Sequence, residues 1–428
     1  MNAEIARSGT VATTDVVVST SACANASGLS RSQLVVMAAA CGLGIANLYY
    51  CQPLLGQIQR SLHSSMAQAG SLAVYTQLGF AVSVFFLAPL GDILERRRLI
   101  LFMLVLVTIA LGCAACARDI NVLEIASLAI GFTSVISTLV LPFAVSLADE
   151  HQRGETVGAI VGAMLIGILL SRTLSGAVGE MFGWRSVYGT ASVLMVFLAI
   201  SLRLLLPKNQ PKASMGYGSL IKTMLGFIKT EPVLRESTLN GMLLYGALSA
   251  FWATLVFLVA SPAYGYGPAA AGMFGLVAAG GAIIAPRIGK LADRISPHVT
   301  VAIATSVMVV AYGVLWLFGT TLVGLVAGVL LLDMAAQSAT ISNQTMVTGL
   351  HQEAQSRLYT VYRAAYSVGG SIGAYLGVVG WSVARWNGVC AVGTAMVCTA
   401  LVIHIVARKA EANRSEALEQ QAQFRAVQ

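Results

Sequence analysis

The chain of 428 residues carries 26 Lys and Arg against 18 Asp and Glu, yet only 10% of it is charged and 57% is hydrophobic. Soluble globular domains are about a quarter charged, so this composition excludes an ordinary water-soluble enzyme or binding domain. The apolar residues fall in blocks of about 20, enough to cross a ~30 Å hydrocarbon core as a helix, and lack the alternating segments of about ten residues that a membrane barrel would show.

Read in chain order, the blocks predict an all-α membrane protein with twelve transmembrane helices. The first six span roughly 33–55, 69–90, 99–117, 121–148, 156–179 and 186–206. The second six span roughly 236–261, 269–288, 299–319, 321–348, 358–382 and 386–407. This divides the chain into a disordered tail (1–31), an N-terminal six-helix bundle (32–206), a linker (207–235), a C-terminal six-helix bundle (236–407) and a second tail (408–428). With both termini cytoplasmic, only Arg60, Arg118, Arg185 and Arg385 fall outside, and Arg172 and Arg363 lie within spans. All other basic residues are then cytoplasmic, as the positive-inside rule requires. Basic loops beside anionic lipid account for the net charge of +8 without nucleic acid. Residues 1–31 lack a basic segment followed by an apolar core, so no cleaved signal peptide is expected.

Polar residues inside spans are the candidates for function, because each is costly in lipid. In the first span, "NLYYCQPLL" sets Asn47, Tyr50 and Cys51 at helical spacing, so they can share a face. Gln52 lies toward its outer end. Between the second and third spans, "GDILERRRLI" crowds Asp92, Glu95, Arg96, Arg97 and Arg98 together, and "GKLADRISPH" echoes it with Gly289, Asp293 and Arg294. Trp184 and Trp386 repeat at nearly the same offset, which suggests duplicated, pseudo-symmetric halves.

The fifth span holds Arg172, placed either to snorkel outward or to face a water-filled cavity and an anionic partner. Tyr245, Ser249 and Trp252 share a face of the seventh span, with Trp252 a candidate aromatic wall. Asp333 is the only acid well inside a span. Gln337, Thr340 and Gln344 continue its stripe, with Asn343 beside it. Asp333 is suited to proton exchange, to substrate contact or to a structural hydrogen bond between helices. Arg363, near the start of the eleventh span, is expected to snorkel to the cytoplasmic face, and Gly369, Gly373 and Gly377 form a packing stripe.

The seven cysteines suggest no disulfide framework, and Cys113 and Cys116 lack a second pair for a metal. Lys290 is not part of a phosphate-binding loop, and His351 and Glu353 lack the second His of a zinc helix. No enzyme activity, cofactor or metal is expected.

The loop after the second span resembles the G-x-x-x-D-[R/K]-x-G-[R/K]-[R/K] motif of the major facilitator superfamily. Asp92, Arg96 and Arg97 match it, whereas Ala88, Ile93 and Glu95 depart. The second copy keeps Gly289, Asp293 and Arg294 and loses the remainder to Ser296, Pro297 and His298. The resemblance implies a gating latch at these residues. "NLYYCQPLL" is similar to the first helix of a bacterial efflux-permease branch. The fifth span fits the register of the superfamily's antiporter motif through Gly158, Gly167 and Gly176. Arg172 stands where that motif has proline, so antiport does not follow from it.

The expectation is a monomeric transporter in a bacterial inner membrane, moving a small organic solute by alternating access. Proton-coupled efflux is the first reading, with Asp333 and Arg172 as buried charges and Asn47, Tyr50, Gln52, Trp252, Gln337 and Gln344 lining the substrate cavity. A symporter or facilitator importing a sugar, amino acid or organic anion is the alternative. A receptor or scaffold would have no use for a polar stripe at mid-bilayer.

Overall fold

The computed structural model describes residues 29–208, 216–278 and 296–427, except the side chains of Asp92, Glu150, Gln352 and most residues from 411 onward. The predicted tail 1–31 therefore falls almost wholly outside the described residues, as do Gly289, Asp293 and Arg294. Among the described residues the regular structure is helical, with no strand.

Helix α1 (Arg31–Ala46) starts at Ser30, whose hydroxyl and the Gln33 side chain satisfy each other's backbone N–H groups. Beyond Ala46 the chain tightens, with Leu48 and Tyr49 donating to carbonyls three residues back. A 3-10 turn at Gln52–Leu54 follows, then α2 (Leu55–Ser61). Pro53 contributes to the break, because it has no N–H to donate and its ring strikes the carbonyl four residues earlier.

Helix α3 (Met66–Leu87) repeats the reciprocal cap with Ser65 and Gln68. The single turn α4 (Leu90–Ile93) carries Asp92 and precedes α5 (Arg96–Ala115). Asp119 caps α6 (Ile120–Thr133), and α7 (Ile136–Leu147) continues the same span. Helices α8 (Arg153–Phe182) and α9 (Trp184–Leu205) meet at Gly183, whose φ of 84° is unstrained only for glycine.

The predicted linker contains α10 (Tyr217–Thr230), with Leu220 and Met224 buried and Lys222 and Lys229 exposed. Helix α11 (Pro232–Val259) begins earlier than predicted, with proline in the position where a missing N–H costs nothing. Helix α12 (Pro268–Ala278) is the described part of the predicted eighth span. Ser296 and Thr321 cap α13 (Pro297–Phe318) and α14 (Leu322–Gly349).

The last helix, α15 (Gln355–Val427), breaks at Ala384 and Arg385, between the predicted eleventh and twelfth spans. Gly380 and Gly388 lie against each other across this break. Tyr362 from one arm packs on Gly241, while His404 from the other bonds Glu236, both near the start of α11. The arms therefore form an antiparallel hairpin.

Nine helices among the described residues are long and apolar enough to cross a membrane, and Arg31–Ala46 and Pro268–Ala278 are apolar but shorter. Large apolar side chains cover the outside, Val323 being 81% and Leu204 77% exposed. A surface of this kind is stable in lipid rather than in water. Helices touch through small residues, as at Gly42 and Gly167 between α1 and α8, and at Gly246 and Gly373 between α11 and α15. The N-terminal half (through α9) meets the C-terminal half (from α11) where Gly70 packs on Val378 and Gly176 on Pro268. The end that carries Arg96–Arg98 is called the basic end below, and its opposite the far end.

Candidate functional site at the interface of the halves

One face of α8 is small and polar, with Ser171, Arg172, Ser175, Gly176 and Gly179 all buried. Arg172 is 5% exposed, so it does not snorkel to the headgroups. Its Nε donates to Gln52 Oε1 at 2.8 Å. Its guanidinium carbon lies 3.8 Å from the Trp252 ring centroid and 4.7 Å from that of Tyr49. Two aromatic faces, one from each half, thus hold the cation, an arrangement that stabilises a desolvated guanidinium by cation–π attraction.

Asp333, on α14, is buried close enough for its charge to act on Arg172 without forming an ion pair. The Trp252 indole faces the same carboxyl. Neither Trp252 Nε1 nor Asp333 Oδ2 completes a hydrogen bond. Arg172, Gln52, Trp252 and Asp333 are therefore gathered in one place from α8, the broken end of the first span, α11 and α14. Among the described residues no three His, Cys, Asp or Glu side chains gather as a metal set would.

Nearer the basic end, tyrosines form the next layer. The hydroxyls of Tyr49 and Tyr245 lie 3.1 Å apart, and Gln77 Nε2 donates to the Tyr245 hydroxyl at 3.0 Å. Tyr245 stacks on Tyr366 with ring centroids 4.0 Å apart. Arg363 covers the other part of this layer, its guanidinium carbon 5.1 Å from the Tyr366 centroid. Beyond it a cavity of about 260 Å³ opens between the halves at the basic end, lined by Arg363, Tyr359 and Thr360 on one side and Phe80, Leu139 and Met164 on the other.

The far end is closed across the halves. Thr173 Oγ1 donates to the Gly272 carbonyl at 3.0 Å, and the Ala269 N–H donates to Glu180 Oε2 at 2.8 Å.

Several expected cavity residues sit elsewhere. Asn47 points within the N-terminal half, its Nδ2 lying 3.8 Å from Met195 Sδ. Tyr50 lines a groove between α1, α8 and α9, and Tyr49 takes the place at Arg172. The cause is the tightened turn after Ala46, which invalidates a face drawn on continuous α-helix spacing. Gln337 and Gln344 are half-buried, but α14 reaches the cavity through Thr348. Asn343 instead donates to Asn240, whose amide donates to the Ala400 carbonyl, a link internal to the C-terminal half. Arg363 turns to the tyrosine layer and the cavity, not to the membrane surface.

Of the expected gating residues, Arg96 Nε donates to the Gly91 carbonyl at 2.8 Å, and Arg96 lines the cavity. Arg97 donates to the Arg203 carbonyl in the last turn of α9. The sequence reading missed Tyr49, Gln77 and Tyr366. "YTVYRAAY" from Tyr359 to Tyr366 sets three tyrosines and Arg363 at helical spacing, and that was the available signal.

Comparison with known proteins agrees with this architecture. The Major Facilitator Superfamily profile matches residues 34–374. The "Uncharacterized transporter YgaY" of Escherichia coli O157:H7 is 34% identical over 375 residues, covering 88% of this chain and 95% of its own. A "Probable sugar efflux transporter" of Mannheimia succiniciproducens is 24% identical over 288 residues, covering 66% of this chain and 70% of its own. In fold, the crystal structure of the POT family transporter PepTSo superposes with a TM-score of 0.70 at 11% identity, over 90% of this chain and 98% of that one. The profile spans most of the helical region and the relatives are transporters, not enzymes; the chain is a multi-pass membrane protein belonging to the Major Facilitator Superfamily.

Proposed function

We propose that the chain is a proton-coupled secondary transporter that exports a small organic solute by alternating access. The observation that carries this is the burial of Arg172 and Asp333 together at the interface of the halves, with Trp252 against the guanidinium. Ionisable groups inside a bilayer are expensive and face a partner or a transport pathway. A carboxyl beside a guanidinium has two states. Ionised, Asp333 is drawn to Arg172; protonated, it loses that attraction and leaves Arg172 free to engage a substrate. Because Arg172 stacks on Trp252 from the opposite half, such a change bears directly on how the halves sit together.

In this reading twelve spans form two six-helix bundles with cytoplasmic termini in a bacterial inner membrane, and the protein acts as a monomer. The hairpin in α15 and the two shorter apolar helices support that count. The basic end is then cytoplasmic, and the structure corresponds to a state closed outside with a cavity toward the cytoplasm. Asp92, Arg96 and Arg97, with Gly289, Asp293 and Arg294, latch the cytoplasmic side in the alternate state. Export is favoured by the "NLYYCQPLL" resemblance and by the relative named as a sugar efflux transporter.

Everted membrane vesicles with an imposed inside-acid gradient test the reading. Amphipathic amines, sugars, amino acids and organic anions are added in turn to the wild type and to Asp333→Asn. Collapse of the gradient by one class, absent in the variant, is the expected result. Solute entry into right-side-out vesicles driven by an inward proton gradient, without collapse in everted ones, would replace export with import.

A further inference from the structure

Among the described residues Arg363 is a cation without a counter-charge. Its guanidinium is half-buried at the inner limit of the basic-end cavity, against Tyr366. Among the described residues the guanidinium makes no ion pair and no hydrogen bond to a protein group; the titratable neighbours that interact with it are Tyr359, Tyr366, Tyr49, Tyr245 and Tyr362. Asp333, the one carboxylate among the described residues around Arg172 and the tyrosine layer, already faces Arg172 and Trp252. Around the tyrosine layer the described residues thus set Arg172 and Arg363 against one carboxylate, an excess of positive charge at the inner limit of the cavity. An unpaired charge in such a place is costly, and an anionic ligand removes the cost.

We infer that the cavity of about 260 Å³ is the binding site for an organic monoanion, with Arg363 as its counter-charge and the Phe80, Leu139 and Met164 wall receiving its apolar body. This rests on the transport reading and narrows it to one substrate class. A planar guanidinium presents paired N–H donors that match a carboxylate. Tyr359 supplies a hydroxyl on the same side of the cavity, whereas Thr360 already donates its own to the Ser356 carbonyl. The opposite wall offers Phe80, Leu139 and Met164 beside Ser137, Thr138 and Arg96, so the ligand needs both a charged head and a ring-sized hydrophobic part, the usual mixture in a small-molecule site. A cationic amine would meet Arg363 with no carboxylate among the described lining residues to offset it.

The wild-type full chain, purified in detergent, is titrated by calorimetry with three probes that share one ring system. These are 1-naphthoate, 1-naphthylmethanol and 1-naphthylmethylamine. The expected result is that the anion binds at least tenfold tighter than the alcohol, with the amine weakest. Arg363→Gln should weaken naphthoate at least tenfold without changing the alcohol, and Arg363→Lys should recover part of the loss. Equal or tighter binding of the alcohol or amine to the wild type overturns the inference, as does binding of none of the three. Unchanged naphthoate affinity in Arg363→Gln overturns it too. The wild-type comparison holds even if a variant folds poorly. Selective anion binding with no solute flux in vesicles would sink the transport reading and leave the site intact. Flux of amines without anion binding would do the reverse.

Discussion

The guanidinium carbon of Arg172 lies over the indole of Trp252, from the opposite half of the chain, 3.8 Å from the ring centroid. A desolvated contact of this type contributes about 0.5–2 kcal/mol, which is roughly 2- to 30-fold in the balance between states. It exists in the state closed at the far end, so its loss should favour opening there. Trp252→Ala is expected to raise labelling of a single Ser175→Cys reporter from the far side within that range. Trp252→Phe should raise it less. Unaltered labelling in Trp252→Ala would remove this contact from the closure.

Asp333→Asn keeps the shape of the side chain and removes its charge. Proton-driven flux should be lost while substrate counterflow, which needs no net proton movement, continues. Loss of both would assign Asp333 to substrate binding or folding instead. Solute flux in vesicles with and without an imposed pH gradient gives the answer.

A side chain at Gly176 would run into the backbone of Pro268 and Ala269 on the opposite half. Gly176→Leu should therefore hold the far end open, with Gly176→Ala intermediate, because closure requires that the two backbones approach. The Ser175→Cys reporter is too near for this test. Cysteine accessibility at Thr360, in the basic-end cavity, should instead fall as the halves close over it.

Gly373 packs on the Gly246 backbone inside the C-terminal half, which moves as one body in the proposed cycle. Gly373→Leu should lower stability without a preference for either state. Overpacking of this kind costs about 1–3 kcal/mol and should appear as a lower unfolding temperature in detergent. The contrast with Gly176 distinguishes a packing glycine from a closure glycine.

The helices were legible because hydrophobic length is a strong signal in lipid, where every backbone group must be satisfied within the helix. Even the reversal at Ala384 and Arg385 fell between two predicted spans. The cluster was only partly legible. Gln52, Trp252, Asp333 and Arg172 stood out as polar or aromatic residues in apolar surroundings, but nothing in the spacing said that they meet. Tyr50 and Asn47 went astray because the face was drawn on a regular helix, whereas the chain tightens after Ala46. Arg363 was assigned to the membrane surface by depth alone. Its direction is set by tertiary packing against Tyr366, which no local pattern encodes.

The contacts that shut the far end and the tyrosine layer run across the halves: Thr173 to Gly272, Glu180 to Ala269, Arg172 to Trp252, Tyr49 to Tyr245 and Gln77 to Tyr245. Helix α8 supplies three of them from an unbroken run between Arg153 and Phe182 that contains no proline at which to bend. A helix without such a hinge breaks these contacts only by moving as a whole. In the proposed cycle leakage is therefore tied to the same whole-body exchange that carries substrate, and slippage is no faster than turnover.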